Sequence, residues 1–200
     1  NAFTTLAANN GGQTQYADAT AINIGSVTVA GMTVNGITTS DDDVKITNVT
    51  GNIAIRTDIG IRAEGLCQKS RRIVSQSAAI SGAGLGLMVT GTTTLTNVAN
   101  DFTTLAANNG GQTQYTDATA IDSGSVTVAG MTVNGITTSN DDVKITNVTG
   151  NIAISNAIAL GTGDLFLQSA GNGSQTAELN GTGLGLNNTP TNTLKNVAND

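Results

Sequence analysis

The chain has 200 residues and a net charge of −6, with no histidine and a single cysteine. The absence of histidine excludes Ser-His-Asp triads and imidazole zinc sites, and one cysteine excludes an intrachain disulfide. The acidic balance argues against nucleic-acid binding through a basic surface. Aromatic residues make up 2% of the chain and glycine contributes 25 residues, yet 38% of residues are hydrophobic, so we expect a folded protein built from small residues rather than disorder.

The sequence is duplicated at an offset of 99 residues. Residues 3–55 and 102–154 differ at only four of 53 positions, which are Ala17/Thr116, Asn23/Asp122, Ile24/Ser123 and Asp41/Asn140. We therefore expect a first repeat unit at 1–99, a second at 100–198 and the start of a third at 199–200. The whole chain is interpreted as a fragment of a longer repeat array.

The first predicted elements are short strands in which apolar residues alternate with small polar ones. They are Val27-Thr28-Val29, Met32-Thr33-Val34, Val44-Lys45-Ile46 and Ile53-Ala54-Ile55. Glycine and asparagine between them supply turns. We expect superimposable strand patterns over 26–61 and 125–160, with inward side chains at Val27, Val29, Val34, Val44, Ile46, Ile53 and Ile55.

Strands this short suit the rungs of a solenoid, in which inward Val, Ile and Leu form a continuous ladder. A 99-residue unit divides into about five coils of roughly 20 residues. The sequence therefore predicts an all-β fold, a parallel β-helix (β-solenoid) of stacked coils.

One later segment has helical spacing of its apolar residues, at Leu95, Val98, Phe102 and Leu105. Its threonine and asparagine content disfavours a helix. We expect no helix there, although a short helical turn at 100–105 stays an alternative.

Two clusters of charged residues are candidate sites. Asp41-Asp42-Asp43 and the copy Asn140-Asp141-Asp142 could offer oxygen ligands to Ca²⁺, but acidic turn residues more often cap strands and aid solubility.

The second cluster contains five of the eight basic residues of the chain, which are Arg56, Arg62, Lys69, Arg71 and Arg72. Their counterpart in the second unit, 155–171, carries no positive charge, so we interpret the cluster as a solvated loop rather than an anion-binding patch.

Two further features are interpreted structurally. Cys67 aligns with Phe166, which predicts a small buried hydrophobic residue rather than a reactive thiol. The glycines of Gly82-Ala83-Gly84-Leu85-Gly86 match neither the dinucleotide fingerprint nor the P-loop, and we expect them at tight corners between strands. We therefore predict no catalytic, cofactor-binding or metal-binding residue, and no ligand-binding residue is identified.

Several blocks resemble the repeat regions of filamentous-haemagglutinin-like bacterial exoproteins, which are surface adhesins of the two-partner secretion type. The blocks are 91–105, Val27-Thr28-Val29-Ala30-Gly31-Met32-Thr33-Val34 and Gly163-Asp164-Leu165-Phe166-Leu167. The resemblance implies a right-handed parallel β-helix shaft at the bacterial cell surface, outside the cell. It implies no catalytic residues and no cofactor.

We therefore expect a non-catalytic structural and adhesive shaft segment of a secreted or surface-displayed bacterial adhesin. The expected partners are adjacent repeat units and surface glycans or proteins of host or neighbouring cells, with no nucleic acid and no transmembrane segment. The alternatives are a β-helical polysaccharide-acting enzyme and a calcium-stabilised RTX-like solenoid. A groove lined by acidic, basic and aromatic residues would favour the enzyme, and sensitivity of the fold to a chelator would favour the calcium-stabilised solenoid.

Overall fold

The computed structural model describes residues 3–196 and 198–199, which contain 28 β-strands and no helix. The strands of the first unit are β1 (Thr5–Leu6), β2 (Ala8–Asn10), β3 (Thr14–Asp18), β4 (Ile22–Ile24), β5 (Ser26–Val29), β6 (Met32–Asn35), β7 (Ile37–Thr39), β8 (Val44–Asn48), β9 (Ile53–Ile55), β10 (Ile59–Ile61), β11 (Gly65–Ser70), β12 (Val74–Gln76), β13 (Ile80–Val89) and β14 (Thr93–Leu95). Those of the second unit are β15 (Asp101–Asn109), β16 (Thr113–Asp117), β17 (Ile121–Ser123), β18 (Ser125–Val128), β19 (Met131–Asn134), β20 (Ile136–Thr137), β21 (Val143–Asn147), β22 (Ile152–Ile154), β23 (Ile158–Ala159), β24 (Asp164–Ser169), β25 (Gly173–Gln175), β26 (Leu179–Asn180), β27 (Gly183–Asn188) and β28 (Asn192–Thr193).

The strands stack in parallel into two long sheets, as a β-solenoid requires. The first sheet has nine strands in the order β1-β4-β9-β12-β14-β16-β21-β24-β27. The second has fifteen strands and runs along β2-β7-β10-β13-β15-β17-β22-β25-β28, with shorter strands beside this path. Partners such as Ile53 and Val74 are one coil apart, and coils are spaced about 21 residues along the chain. The predicted β-solenoid is confirmed, with about nine turns.

The core is a ladder of buried isoleucine, valine and leucine that runs from Ile22 to Leu179. Val44, Ile46, Ile53 and Ile55 are fully buried, whereas Lys45 between two of them is only half-buried. The predicted inward register of these four residues is therefore confirmed, because a one-residue slip would have turned all of them outward.

The prediction fails for the residues between 26 and 35. Val27, Val29 and Val34 do not enter the ladder, because β5 and β6 pair antiparallel with each other and leave the solenoid as a hairpin. β18 and β19 form the same hairpin in the second unit. We call Ser26–Asn35 the first arm and Ser125–Asn134 the second arm.

Most strands of the second unit lie in the opposite sheet from their counterparts in the first unit. β16 corresponds to β3 after the 99-residue offset, yet β16 lies in the first sheet and β3 lies in the second. About nine turns over two units give about four and a half coils for each unit, slightly fewer than the five expected. β4, β9 and β12 likewise lie in the first sheet and their counterparts β17, β22 and β25 in the second, whereas β7 and β10 share the second sheet with their counterparts β20 and β23.

The solenoid is continuous across the boundary between units. β15 pairs with β13 of the first unit on one side and with β17 and β20 of the second unit on the other. Residues 101–105, where a helical turn was the alternative, lie within this strand.

Candidate interaction surfaces

The arms form because their local sequence favours a two-residue turn. Ala30 and Gly31 both have positive φ, at 51° and 81°, as do Ala129 and Gly130 at 47° and 75°. Turns with two such residues match the twist of an antiparallel hairpin. In each arm the threonine hydroxyls pair on one face, while the valines and the methionine share the other, which makes the arm amphipathic.

The second arm lies with its apolar face against the preceding coils, which belong to the first unit and to the start of the second. Val126, Val128 and Val133 are buried in a cluster separate from the main core, together with Cys67 and Ala106. These two partners belong to β11 and β15 and point outward from the solenoid wall. The arm therefore covers the outside of the coils that precede it in the chain.

Glycines make room for this contact. A side chain at Gly65 would overlap a methyl group of Val128, and a Cβ at Gly84 would lie 3.1 Å from Val126. Gly84 and Gly86 lie inside β13 rather than at corners between strands, so the corner prediction is wrong for these two residues. Their small size lets the arm approach the wall. The outward-facing residues Gly65, Cys67, Gly84, Gly86 and Ala106 are called here the first docking surface.

The acidic turn holds the tip of the second arm. Asp43 Oδ2 accepts a hydrogen bond from the backbone N–H of Ala129 at 2.7 Å, and its Oδ1 accepts one from Gly65 N–H at 3.3 Å. In the second unit Asp142 Oδ1 accepts one from Asp164 N–H at 2.9 Å. These carboxylates are thus directed at backbone donors. Within residues 3–196 and 198–199, no three Asp, Glu, Cys or His side chains form a group that could hold a metal ion.

Cys67 is buried beneath the second arm, as the sequence predicted. Its Sγ lies 3.1 Å from Met131 Sδ. Burial raises the pKa of the thiol to about 11, with the nearby Lys45 opposing the shift and Asp43 adding to it. A thiol with such a pKa is almost entirely protonated near neutral pH, which makes it a poor nucleophile.

The five basic residues do not form one patch. Arg56 Nε donates to Asn23 Oδ1 at 3.2 Å and Arg72 Nε donates to the Thr50 carbonyl at 2.8 Å. Lys69 and Arg71 border one surface hollow, whereas Arg62 borders another beside Asp101. Arg71 also borders a hollow with Arg72, so Lys69, Arg71 and Arg72 adjoin one another while Arg62 borders a different hollow.

Comparison of the chain with known proteins identifies no relative. No family model, curated protein or solved structure matches the chain. In the described part of the chain, no helix is long and apolar enough to cross a membrane. What the geometry defines is a β-solenoid repeat protein in which a hairpin of one unit is packed on the wall of the unit before it.

Proposed function

We propose that this chain is a structural and adhesive shaft segment of a large secreted or surface-displayed bacterial adhesin, and that it is not an enzyme. Its contribution is length and stiffness, which hold a binding region away from the cell that makes it. The expected partners are adjacent repeat units and, beyond the shaft, glycans or proteins on host or neighbouring cells.

The observation that carries this proposal is the uninterrupted ladder of buried residues through both units. A stack of this kind lengthens by a fixed step with every added unit and keeps its cross-section. The second arm ties the two units together a second time, outside the ladder, because it belongs to one unit and packs on the other. Both features resist bending at the junction between units.

The resemblance of the repeat blocks to filamentous-haemagglutinin-like exoproteins supports the location. A low content of charged and aromatic residues is compatible with a role in which most of the surface contacts nothing specific. The proposed position is outside the cell, with the shaft attached to the bacterial surface.

The location is tested by labelling intact source cells with antibodies raised against this chain. We expect labelling without permeabilisation, loss of the label after brief protease treatment, and no labelling of a cytoplasmic marker under the same conditions. Label that appears only after permeabilisation would contradict the proposal. Polysaccharide cleavage by the purified chain, measured as new reducing ends, would contradict the non-catalytic role.

A further inference from the structure

The two arms have the same ten residues but different surroundings. Val128 of the second arm is 0% exposed, whereas its counterpart Val29 in the first arm is 69% exposed. Met32 is 78% exposed, although its counterpart Met131 contacts Cys67. The first arm therefore presents an exposed apolar face that no described residue of this chain covers.

The base of the first arm already holds it in the position for docking. Gly36 N–H donates to the Gly25 carbonyl at 2.9 Å and Gly25 N–H donates to the Leu6 carbonyl at 3.0 Å. The second arm has the same pair of bonds, Gly135 to Gly124 at 2.8 Å and Gly124 to Leu105 at 3.1 Å. The apolar face of the first arm therefore extends past the first coil, over the space where preceding coils would lie.

The second unit carries a vacant counterpart of the surface that the second arm covers. A groove of about 640 Å³ is bordered by Asp142, Lys144, Phe166, Gly183 and Gly185. After the 99-residue offset, these residues correspond to Asp43, Lys45, Cys67, Gly84 and Gly86, which lie at or beside the second arm. We call this groove the second docking surface.

The carboxylate that holds an arm tip is also repeated. Asp142 Oδ1 accepts the Asp164 N–H just as Asp43 Oδ1 accepts the Gly65 N–H. Asp43 Oδ2 takes the N–H of Ala129 in the second arm. Among the described residues, no donor bonds to Asp142 Oδ2. The corresponding donor in the first arm is the N–H of Ala30.

We propose that the first arm docks on the second docking surface of a second copy of this chain, so that copies join head to tail. Ala30 N–H then donates to Asp142 Oδ2 of the other copy. By the register of β13 with β15, Leu6 of one copy lies opposite Leu184 of the other. Leu184 and Leu186 are exposed in the single chain, and the joined sheet covers both.

Two residues distinguish the second docking surface from the first. Phe166 stands in place of Cys67, and its ring lies across Gly185 with Lys144 Nζ 5.6 Å from the ring centroid. Asp164 stands in place of Gly65. The Phe166 ring turns off Gly185 to admit the arm and then contacts the Met32 thioether, a favourable pairing of sulfur with an aromatic ring. Replacing both residues by those of the first unit should open the groove fully.

Sedimentation velocity of the intact 200-residue chain over a range of concentrations tests the association. We expect dimers and longer oligomers, and Val29→Asp should weaken association about tenfold or more because it places a carboxylate in the apolar contact. The matched control is Val98→Asp, since Val98 is 66% exposed and belongs to neither surface. The double variant Asp164→Gly with Phe166→Cys should associate more tightly than the wild type.

Disulfide cross-linking identifies the occupant. Val29→Cys in one copy and Asp164→Cys in another should give a mixed disulfide dimer, because Val128 and Gly65 are the contacting pair in the single chain. Val98→Cys with Asp164→Cys is the control. Cys67 is replaced by Ala in all these chains.

The outcomes separate docking from simpler association. Docking is overturned if Val29→Asp associates as tightly as the wild type, which would mean that bare strand edges suffice. Cross-linking no better than that of the Val98→Cys control, or a chain that stays monomeric, would also overturn it. None of these results would bear on surface labelling of cells, so the proposed function is tested independently.

Discussion

Asp43 and Ala129 are joined by a 2.7 Å hydrogen bond, although 86 residues of chain separate them. The bond runs from the acidic turn of the first unit to the arm tip of the second. It gives the acidic turn a structural task, since the carboxylate of Asp43 holds the hairpin tip to the wall. Hydrogen bonds to a charged group are among the stronger ones in proteins.

Removing this acceptor should loosen the second arm. Asp43→Ala leaves the N–H groups of Ala129 and Gly65 without a partner, and we expect the free energy of unfolding to fall by about 1–3 kcal/mol. Urea denaturation measures the change, and hydrogen exchange at Ala129 should accelerate. Asp42→Ala is the control. The hydrogen bond that Asp42 accepts from Thr39 Oγ1 goes to its backbone carbonyl, which the substitution retains. Equal losses from the two variants would contradict the assigned role.

Metal removal should leave the fold unchanged. Both oxygens of Asp43 accept backbone N–H groups, so this carboxylate is already engaged without a cation. We expect the circular dichroism spectrum and the thermal midpoint to be the same in EDTA and in millimolar Ca²⁺. A higher midpoint in Ca²⁺ that EDTA reverses would instead support the calcium-stabilised solenoid.

Gln68 is a polar residue in the ladder whose amide atoms have no hydrogen-bond partner in the described structure. It lies between Ile46 and Leu87, and its counterpart in the second unit is Leu167. Gln68→Leu should raise the free energy of unfolding by about 1–3 kcal/mol, because burying an unpaired amide is unfavourable. The reverse change, Leu167→Gln, should lower it. Loss of stability in Gln68→Leu would indicate that the amide is satisfied in solution.

The register of the ladder could be predicted from the sequence, but the path of the arms could not be followed by alternation alone. Val27-Thr28-Val29 alternates as strictly as Val44-Lys45-Ile46, and period two shows a strand without showing what the strand packs against. A signal was present: two four-residue strands separated by two residues, Ala30 and Gly31, are the spacing of a hairpin. The alanine at a position more often taken by Asn or Asp concealed it.

The first docking surface was harder to predict from the sequence. The small residues Gly84 and Gly86 are explained by Val126, which follows them by about forty residues and belongs to the next unit. Nothing local in the glycine run distinguishes a corner from a strand on which another element lies. Cys67 is buried, as its residue type predicts, but its alignment with Phe166 carries no such information because Phe166 is exposed.

Carboxyl titration should differ between Asp18 and Asp117, which are equivalent positions of the two units. The pKa of Asp18 is lowered, chiefly by the N–H of Thr20, whereas burial between coils raises the pKa of Asp117. The Asp18 contribution to stability is present above the ordinary carboxyl pKa and is lost as pH falls through the lowered value. The contribution of Asp117 to stability is present when the pH is below the ordinary carboxyl pKa. It is lost as the pH rises through the raised pKa of Asp117.

Carbon-13 NMR of the two carboxyl groups measures these pKa values directly. We expect the Asp117 signal to titrate at higher pH than the Asp18 signal. Asp117→Asn and Asp18→Asn assign the signals. Identical titration of both groups would contradict the difference in their surroundings.

The thiol of Cys67 should report whether the second arm is in place. With a pKa of about 11, about one thiol in a thousand is ionised at pH 8, and the arm covers the sulfur. We expect slow reaction with a thiol reagent in the wild type and at least tenfold faster reaction in Val128→Asp, which forces a charge into the apolar contact. Val29→Asp is the control at the equivalent position of the exposed arm. Fast reaction in the wild type would mean that the arm is lifted in solution.

Chain length should control the length of the particle. About four and a half coils per unit, stacked at about 4.8 Å, predict an increase of about 22 Å for each added 99-residue unit. Chains with two, four and six units, all carrying Val29→Asp in the first unit to suppress end-to-end docking, should lengthen linearly in small-angle X-ray scattering. Their cross-section should stay constant, because every added coil stacks on the one before it.

As a control, Val128→Asp in the two-unit chain removes the arm contact and leaves the ladder, so the maximum dimension of the particle should be retained. Independently hinged units would lengthen irregularly, and the proposed shaft would then be wrong.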